Sequence, residues 1–149
     1  MSKGEFRVRD SVIEGDFEID MRSIKNVDLE GDDLQPVLIE HLKSDDFFFV
    51  KLFPKAVVVI ESGKLIGDAP MGAANYDIQG SLSLRGVSAD IRFPATIGRT
   101  SDGAISVEAH FDLDRTRWNV IYGSGRFFEH LGMHLVYDAV SIELRVLSH

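Results

Sequence analysis

Residues 76–97, YDIQGSLSLRGVSADIRFPATI, decide the fold. Tyr76, Ile78, Gly80, Leu82 and Leu84 alternate with Asp77, Gln79, Ser81, Ser83 and Arg85. After the turn signal Gly86-Val87-Ser88 the apolar set resumes at Ile91, Phe93, Ala95 and Ile97. A period of two sends successive side chains to opposite faces of a strand, so this stretch predicts a hairpin with one dry and one wet face.

The same period extends in both directions. Upstream, Ile13, Gly15, Phe17, Ile19 and Met21 alternate with Glu14, Asp16, Glu18 and Asp20; downstream, Ile105, Val107, Ala109, Phe111 and Leu113 alternate with Ser106, Glu108, His110, Asp112 and Asp114. Val140, Ile142, Leu144 and Val146 close the chain against Ser141, Glu143 and Arg145, and two less regular strands are predicted over residues 5–9 and 56–66, the second interrupted at Ser62-Gly63. About seven strands with one apolar face make an antiparallel sheet, since parallel strands read as continuous apolar runs separated by helices. Such a sheet either pairs into a sandwich or closes into a barrel.

One segment reads as helix. Residues 32–43, DDLQPVLIEHLK, place Leu34, Val37, Leu38 and Leu42 at helical spacing, with acids at the start and Pro36 in the first turn. A further short turn of helix is expected within residues 125–134, kept short by Gly125 and Gly132.

A chain of 149 residues is one domain, spanning residues 1–149, able to bury about two thirds of its unfolded surface. No apolar run reaches the roughly 18 residues of a membrane helix, so the chain is not expected to span a membrane with one. The start, MSKGEFRVRDS, lacks a signal-peptide core. Cytoplasmic placement is therefore expected as written, and periplasmic placement if this is a mature or trimmed form. The absence of cysteine removes thiolate chemistry and disulfides. Residues 1–50 hold 13 acids and 6 bases, residues 51–149 hold 11 and 10; this distribution argues against a nucleic-acid interface.

Sites of familiar chemistry do not assemble. Around Asp28, Glu30, Asp32 and Asp33 the calcium-loop spacing fails, because Gly31 comes fourth instead of sixth and Ile39 stands where a glutamate is needed. His130 and His134 have zinc spacing, but Gly132 lies between them and no third ligand is evident. Gly123-Ser124-Gly125 is not a nucleophile elbow. No catalytic set and no cofactor is expected; the weakest of three readings is an enzyme using His110 or His134 as acid or base. The aromatic run Phe47-Phe48-Phe49 before Phe53-Pro54 either plugs the gap between helix and sheet or forms the floor of an apolar pocket. Around the only tryptophan, Trp118, stand Arg115, Arg117 and Arg126, each with surface carboxylates such as Asp112 and Asp114 close in sequence.

Three blocks in order then resemble a known family. They are residues 15–24, GDFEIDMRSI; the passage from Leu42 through Asp46-Phe47-Phe48 to Phe53-Pro54-Lys55-Ala56; and YDIQGSLSLRGV, residues 76–87, joined to DRTRWNV, residues 114–120, and Tyr122-Gly123-Ser124-Gly125. Together they resemble the YceI-like family, the lipocalin-like proteins associated with polyisoprenoid binding. The resemblance implies an all-β fold: an antiparallel barrel of about eight strands around an elongated apolar cavity. Relatives usually carry strand sequence ahead of the segment matching residues 4–9. A barrel lacking or rearranging its first strand is therefore implied, with an open seam and a homodimer as one way to close it.

On that reading the function is non-catalytic transport or sequestration of a polyisoprenoid or prenyl-quinone lipid. Phe17, Ile19, Met21, Phe48, Ile78, Leu82, Leu84, Phe93, Phe111, Leu113, Trp118, Phe127, Phe128 and Met133 would line the cavity. Arg117 and Arg126 are the candidates for a head group, for which the planar guanidinium is suited. The alternative is a filled barrel acting as an interaction or stress-response module without lipid.

Overall fold

The computed structural model describes residues 3–9 and 12–148, and the single domain expected over 1–149 extends past these. Seven strands form one sheet: β1 Lys3–Arg9, β2 Val12–Asp20, β3 Lys55–Leu65, β4 Tyr76–Leu84, β5 Val87–Arg99, β6 Ile105–Asp114 and β7 Ala139–Leu147. The helix α1, Leu34–Lys43, lies between β2 and β3. Strand order along the sheet is sequence order, all neighbours antiparallel, and among the described residues β7 does not pair with β1. The seven strands are those the alternation predicts. Among the described residues the sheet curls into a half-barrel, the open-seamed barrel lacking a strand that the resemblance implies.

Rows of side chains across the inner face explain the curl. One row runs Gly15, Ile60, Gly80, Ile91; beside it Gly63 packs against Ile13 and pairs with Ile78, which pairs with Phe93. Glycine alternates with a large residue, so the strands approach and coil where a second side chain would hold them apart. A Cβ on Gly63 would lie 2.7 Å from Ile13 Cδ1 and 2.9 Å from Ile78 Cδ1; both side chains fill its place. The break at Ser62-Gly63 is a β-bulge between Ile60 and Ser62, which puts Gly63 opposite Ile78.

Two boundaries differ from the sequence reading. The β4–β5 connection is tighter than Gly86-Val87-Ser88: Leu84 pairs with Val87, and Arg85 (φ 52°) and Gly86 (φ 74°) make the two-residue type I′ turn that matches strand twist. Helix α1 begins at Leu34, and its apolar residues Leu34 and Val37 are exposed. In residues 125–134 only a 3-10 turn at Gly132–His134 forms.

One end of the half-barrel is capped by α1, residues 45–54 and the segment after β6. The other end carries the β3–β4 loop, where Asn75 continues the ladder with its side chain. Its Oδ1 accepts from Ile97 N at 2.8 Å and its Nδ2 donates to Ile97 O at 2.9 Å.

Gly80 faces the tightest approach: an added Cβ would lie 2.1 Å from Val59 O. Gly80→Ala should cost about 1–3 kcal/mol by overpacking, read as a lower urea midpoint at unchanged slope.

Candidate functional site: the apolar trough

Inside the curl, Phe17 of β2, Ile60, Ile78, Phe93, Ile97, Val107, and Leu144 and Val146 of β7 face one another around a cleft with no polar lining. Ile97, Val107 and Val146 form a single row across β5, β6 and β7, and beside it the small residues Ala95 and Ala109 pair. Phe93 and Phe111 stack with centroids 4.3 Å apart and planes 11° apart, filling the next level. The free volume left is about 10 Å³, room for roughly one water. The trough is therefore collapsed onto itself, with Phe17 of β2 meeting Leu144 and Val146 of β7 across it.

Of the lining set expected from sequence, Phe17, Ile78 and Phe93 meet at the cleft, with Phe111 stacked behind and Leu113 packed against the same core. Met21, Phe48, Leu82, Leu84 and Trp118 belong to the core at or toward the capped end, and Ile19 lies on the same face but is more exposed. Phe127, Phe128 and Met133 are corrections: they are 52%, 45% and 100% exposed on the outside of the cap. Their segment crosses from β6 to β7 without a strand, turned by left-handed Gly123 and Gly132, and no sheet face receives it. Ile60, Ile97, Val107, Leu144 and Val146 are cleft residues missed in the lining set. Their alternation was readable, but knowing that β7 curls back toward β2 requires the tertiary curvature.

The cap explains what the arginines do. Arg115, 5% exposed, donates to three main-chain carbonyls: Val120 O at 2.7 Å, Val136 O at 2.9 Å and Tyr137 O at 2.9 Å. Burial pushes its pKa down, while Asp138 and Asp114 oppose that shift. Arg85, placed by the type I′ turn, likewise donates to Asp45 O, Phe47 O and Asn119 O. Trp118 is buried with Nε1 donating to Leu82 O at 2.7 Å, which ties the cap to β4. Phe47 and Tyr122 pack 5.3 Å apart, with the His41 ring edge-on to both. Phe47 and Phe48 are thus the plug between helix and sheet.

Neither head-group candidate is brought to the cleft. Arg126 pairs with Asp114 at 3.0 Å and Asp138 at 3.7 Å, and Arg117 donates to Asp90 O at 2.6 Å on the outer side of the sheet. Both follow from the backbone: Arg117 sits in the 3-10 turn Arg115–Trp118, whose buried positions are Arg115 and Trp118. His110 is also on the wet face, 3.3 Å from Ser141 Oγ, which donates to Asp112. His134 is exposed. Neither histidine opens into the trough. Among the described residues no helix is long and apolar enough to cross a membrane, and no cluster of metal ligands forms.

A YceI-like domain model matches residues 2–147. The chain belongs to the YceI-like family. The YceI-like fold is shared with Burkholderia cenocepacia BcnA at TM-score 0.74 and 19% identity, covering 100% of this chain and 84% of that one. A Campylobacter jejuni YceI protein matches at TM-score 0.71 and 17% identity, covering 99% and 80%. A polyisoprenoid-binding domain from Saccharophagus degradans, implicated in plant cell wall breakdown, matches at TM-score 0.60 and 18% identity, covering 91% and 79%. No curated protein sequence matches the YceI-like chain.

Two measurements check the cap. Arg115→Met leaves three carbonyls without their donor and should cost on the order of 3 kcal/mol, measured by urea unfolding. Asp114 accepts from Thr116 Oγ1 and N and pairs with Arg126, which together hold its carboxyl below the usual value of 3.8. A depressed carboxylate stabilises the fold above its ordinary pKa and loses that contribution as pH falls. Asp114→Asn should therefore unfold more easily than the parent at pH 7, with the gap narrowing below pH ~4.

Proposed function

We propose that this YceI-like protein is a non-catalytic carrier or sequestering protein for an elongated apolar molecule of the polyisoprenoid or prenyl-quinone kind. The observation that carries this reading is a wholly apolar cleft, from Phe17 and Phe93 to Ile97, Val107 and Val146, in a sheet whose first and last strands do not pair among the described residues. In a closed barrel a wider interior would break main-chain ladders. Here the two free edges can separate at the expense of side-chain contacts alone. An incoming chain restores that burial, at roughly 0.8 kcal/mol per CH₂ taken from water. The likeness in fold to a polyisoprenoid-binding domain supports the same ligand class. Arg126 and Arg117 would reach a head group only by leaving Asp114, Asp138 and Asp90, so a neutral head such as a quinone suits this trough better than a phosphate.

The small free volume favours a second reading, a filled half-barrel that serves as an interaction or stress-response module. Lipid uptake separates the two. Organic extraction and mass spectrometry of the purified protein, followed by titration with a prenyl quinone, should find one chain per trough. Ile97→Asp puts a carboxylate into the cleft and should weaken uptake at least tenfold, whereas Glu108→Lys on the wet face should leave it unchanged. Protein that is empty as purified and refuses the quinone would establish the filled module instead.

A further inference from the structure

The free edge of β7 is nine residues long, without proline or bulge, and its main chain faces outward in a fixed pattern. Ser148 N donates to Ile105 O and Arg115 N donates to Asp138 O, so even-numbered residues of this segment turn their main-chain groups toward β6. Alternation along an antiparallel strand leaves the N–H and C=O of Ala139, Ser141, Glu143, Arg145 and Leu147 directed to the open side. The side chains divide equally cleanly. Ile142, Leu144 and Val146 are half-buried on the trough face, while Glu143 and Arg145 are exposed on the wet face, 2.6 Å apart.

We propose that this edge is a self-complementary interface, on which β7 of a second copy pairs antiparallel about a two-fold axis at Leu144. That register sets Glu143 opposite Arg145 of the other copy twice, once on each side of the axis. It also sets Leu144 against Leu144 and Ile142 against Val146 on the trough face. Both charged residues carry outward main-chain groups, so each Glu143–Arg145 pair is also a hydrogen-bonded pair of the ladder. The adjacent symmetric registers, centred on Glu143 or Arg145, put like charges face to face. Charge thus selects one register from those the backbone permits. The product is a closed dimer with isologous contacts, because the same strand serves both copies. Its two half-barrels join into one continuous sheet, and their troughs adjoin along Leu144. Because β7 carries no bulge and only one outward charge of each sign near its centre, it lacks the usual protection of an edge strand against pairing.

The test is charge reversal with complementation. Wild-type protein at tens of micromolar should sediment as a dimer. Glu143→Arg and Arg145→Glu, each folded by circular dichroism, should each be monomeric. Mixed together, they should form a heterodimer, since every cross-axis pair is then one arginine against one glutamate. In this cysteine-free chain, Leu144→Cys should oxidise to a covalent dimer, because Leu144 stands in a non-hydrogen-bonded pair with Cα atoms about 4.5 Å apart. Ser141→Cys, set opposite Leu147, should not crosslink. A wild-type monomer at this concentration, a dimer indifferent to both reversals, or crosslinking at Ser141 as efficient as at Leu144 would each overturn the proposal. Whether lipid binds has no bearing on these outcomes.

Discussion

A single sheet with one apolar face and no second sheet to cover it has only itself to pack against. Everything else in this molecule follows from that constraint. The inner rows alternate glycine with large residues because a sheet bent this tightly cannot hold a side chain at every inward position. Gly63 yields its place to Ile13 and Ile78, and Gly80 lies under the carbonyl of Val59. The bend brings Phe17 across to Leu144 and Val146, and burial is achieved with the edges still unpaired. An interior held by side-chain contact, without a closed hydrogen-bonded ring, is one that an apolar chain can enter by displacing weak, numerous contacts.

Curling alone would leave both ends of the trough open, and the cap closes one of them by an unusual division of labour. The aromatic run at Phe47 and Phe48 supplies the apolar plug, but it is made of irregular chain whose carbonyls need donors. Arg85 and Arg115 each supply three. The surface pairing weighed for the arginines fits Arg126. Arg115 does something the sequence did not announce: beside its 3.7 Å pairing with Asp138, its guanidinium is held by main-chain oxygens, which no motif records.

The legibility of the chain divides along the same line. Strands were plain because alternation is a local property: five clean runs coincide with β2, β4, β5, β6 and β7, and the two less regular ones with β1 and β3. The helix was read two residues too long at its start, because Asp32 and Asp33 look helical by composition while Asp33 serves as the residue before the first turn. What period could not supply was curvature. It left a sandwich as open as a barrel, and the resemblance to a family tipped the choice toward a barrel of about eight strands. The same gap misplaced Phe127, Phe128 and Met133, aromatic and apolar residues that composition assigns to a pocket and the path of the chain leaves outside. It also hid Leu144 and Val146 as cleft residues, since their role depends on which distant strand they face.

The arginine clamps have a consequence for how such a chain can change over time. Arg85 and Arg115 grip oxygens that every amino acid carries, so the identities of residues 45, 47, 119, 120, 136 and 137 do not enter the hydrogen bonds that hold them. Substitutions at those positions would leave the grip intact as long as the loop keeps its course. An architecture fastened through the backbone can let its lettering drift widely while its shape persists, which fits the coexistence of 19% identity with a TM-score of 0.74.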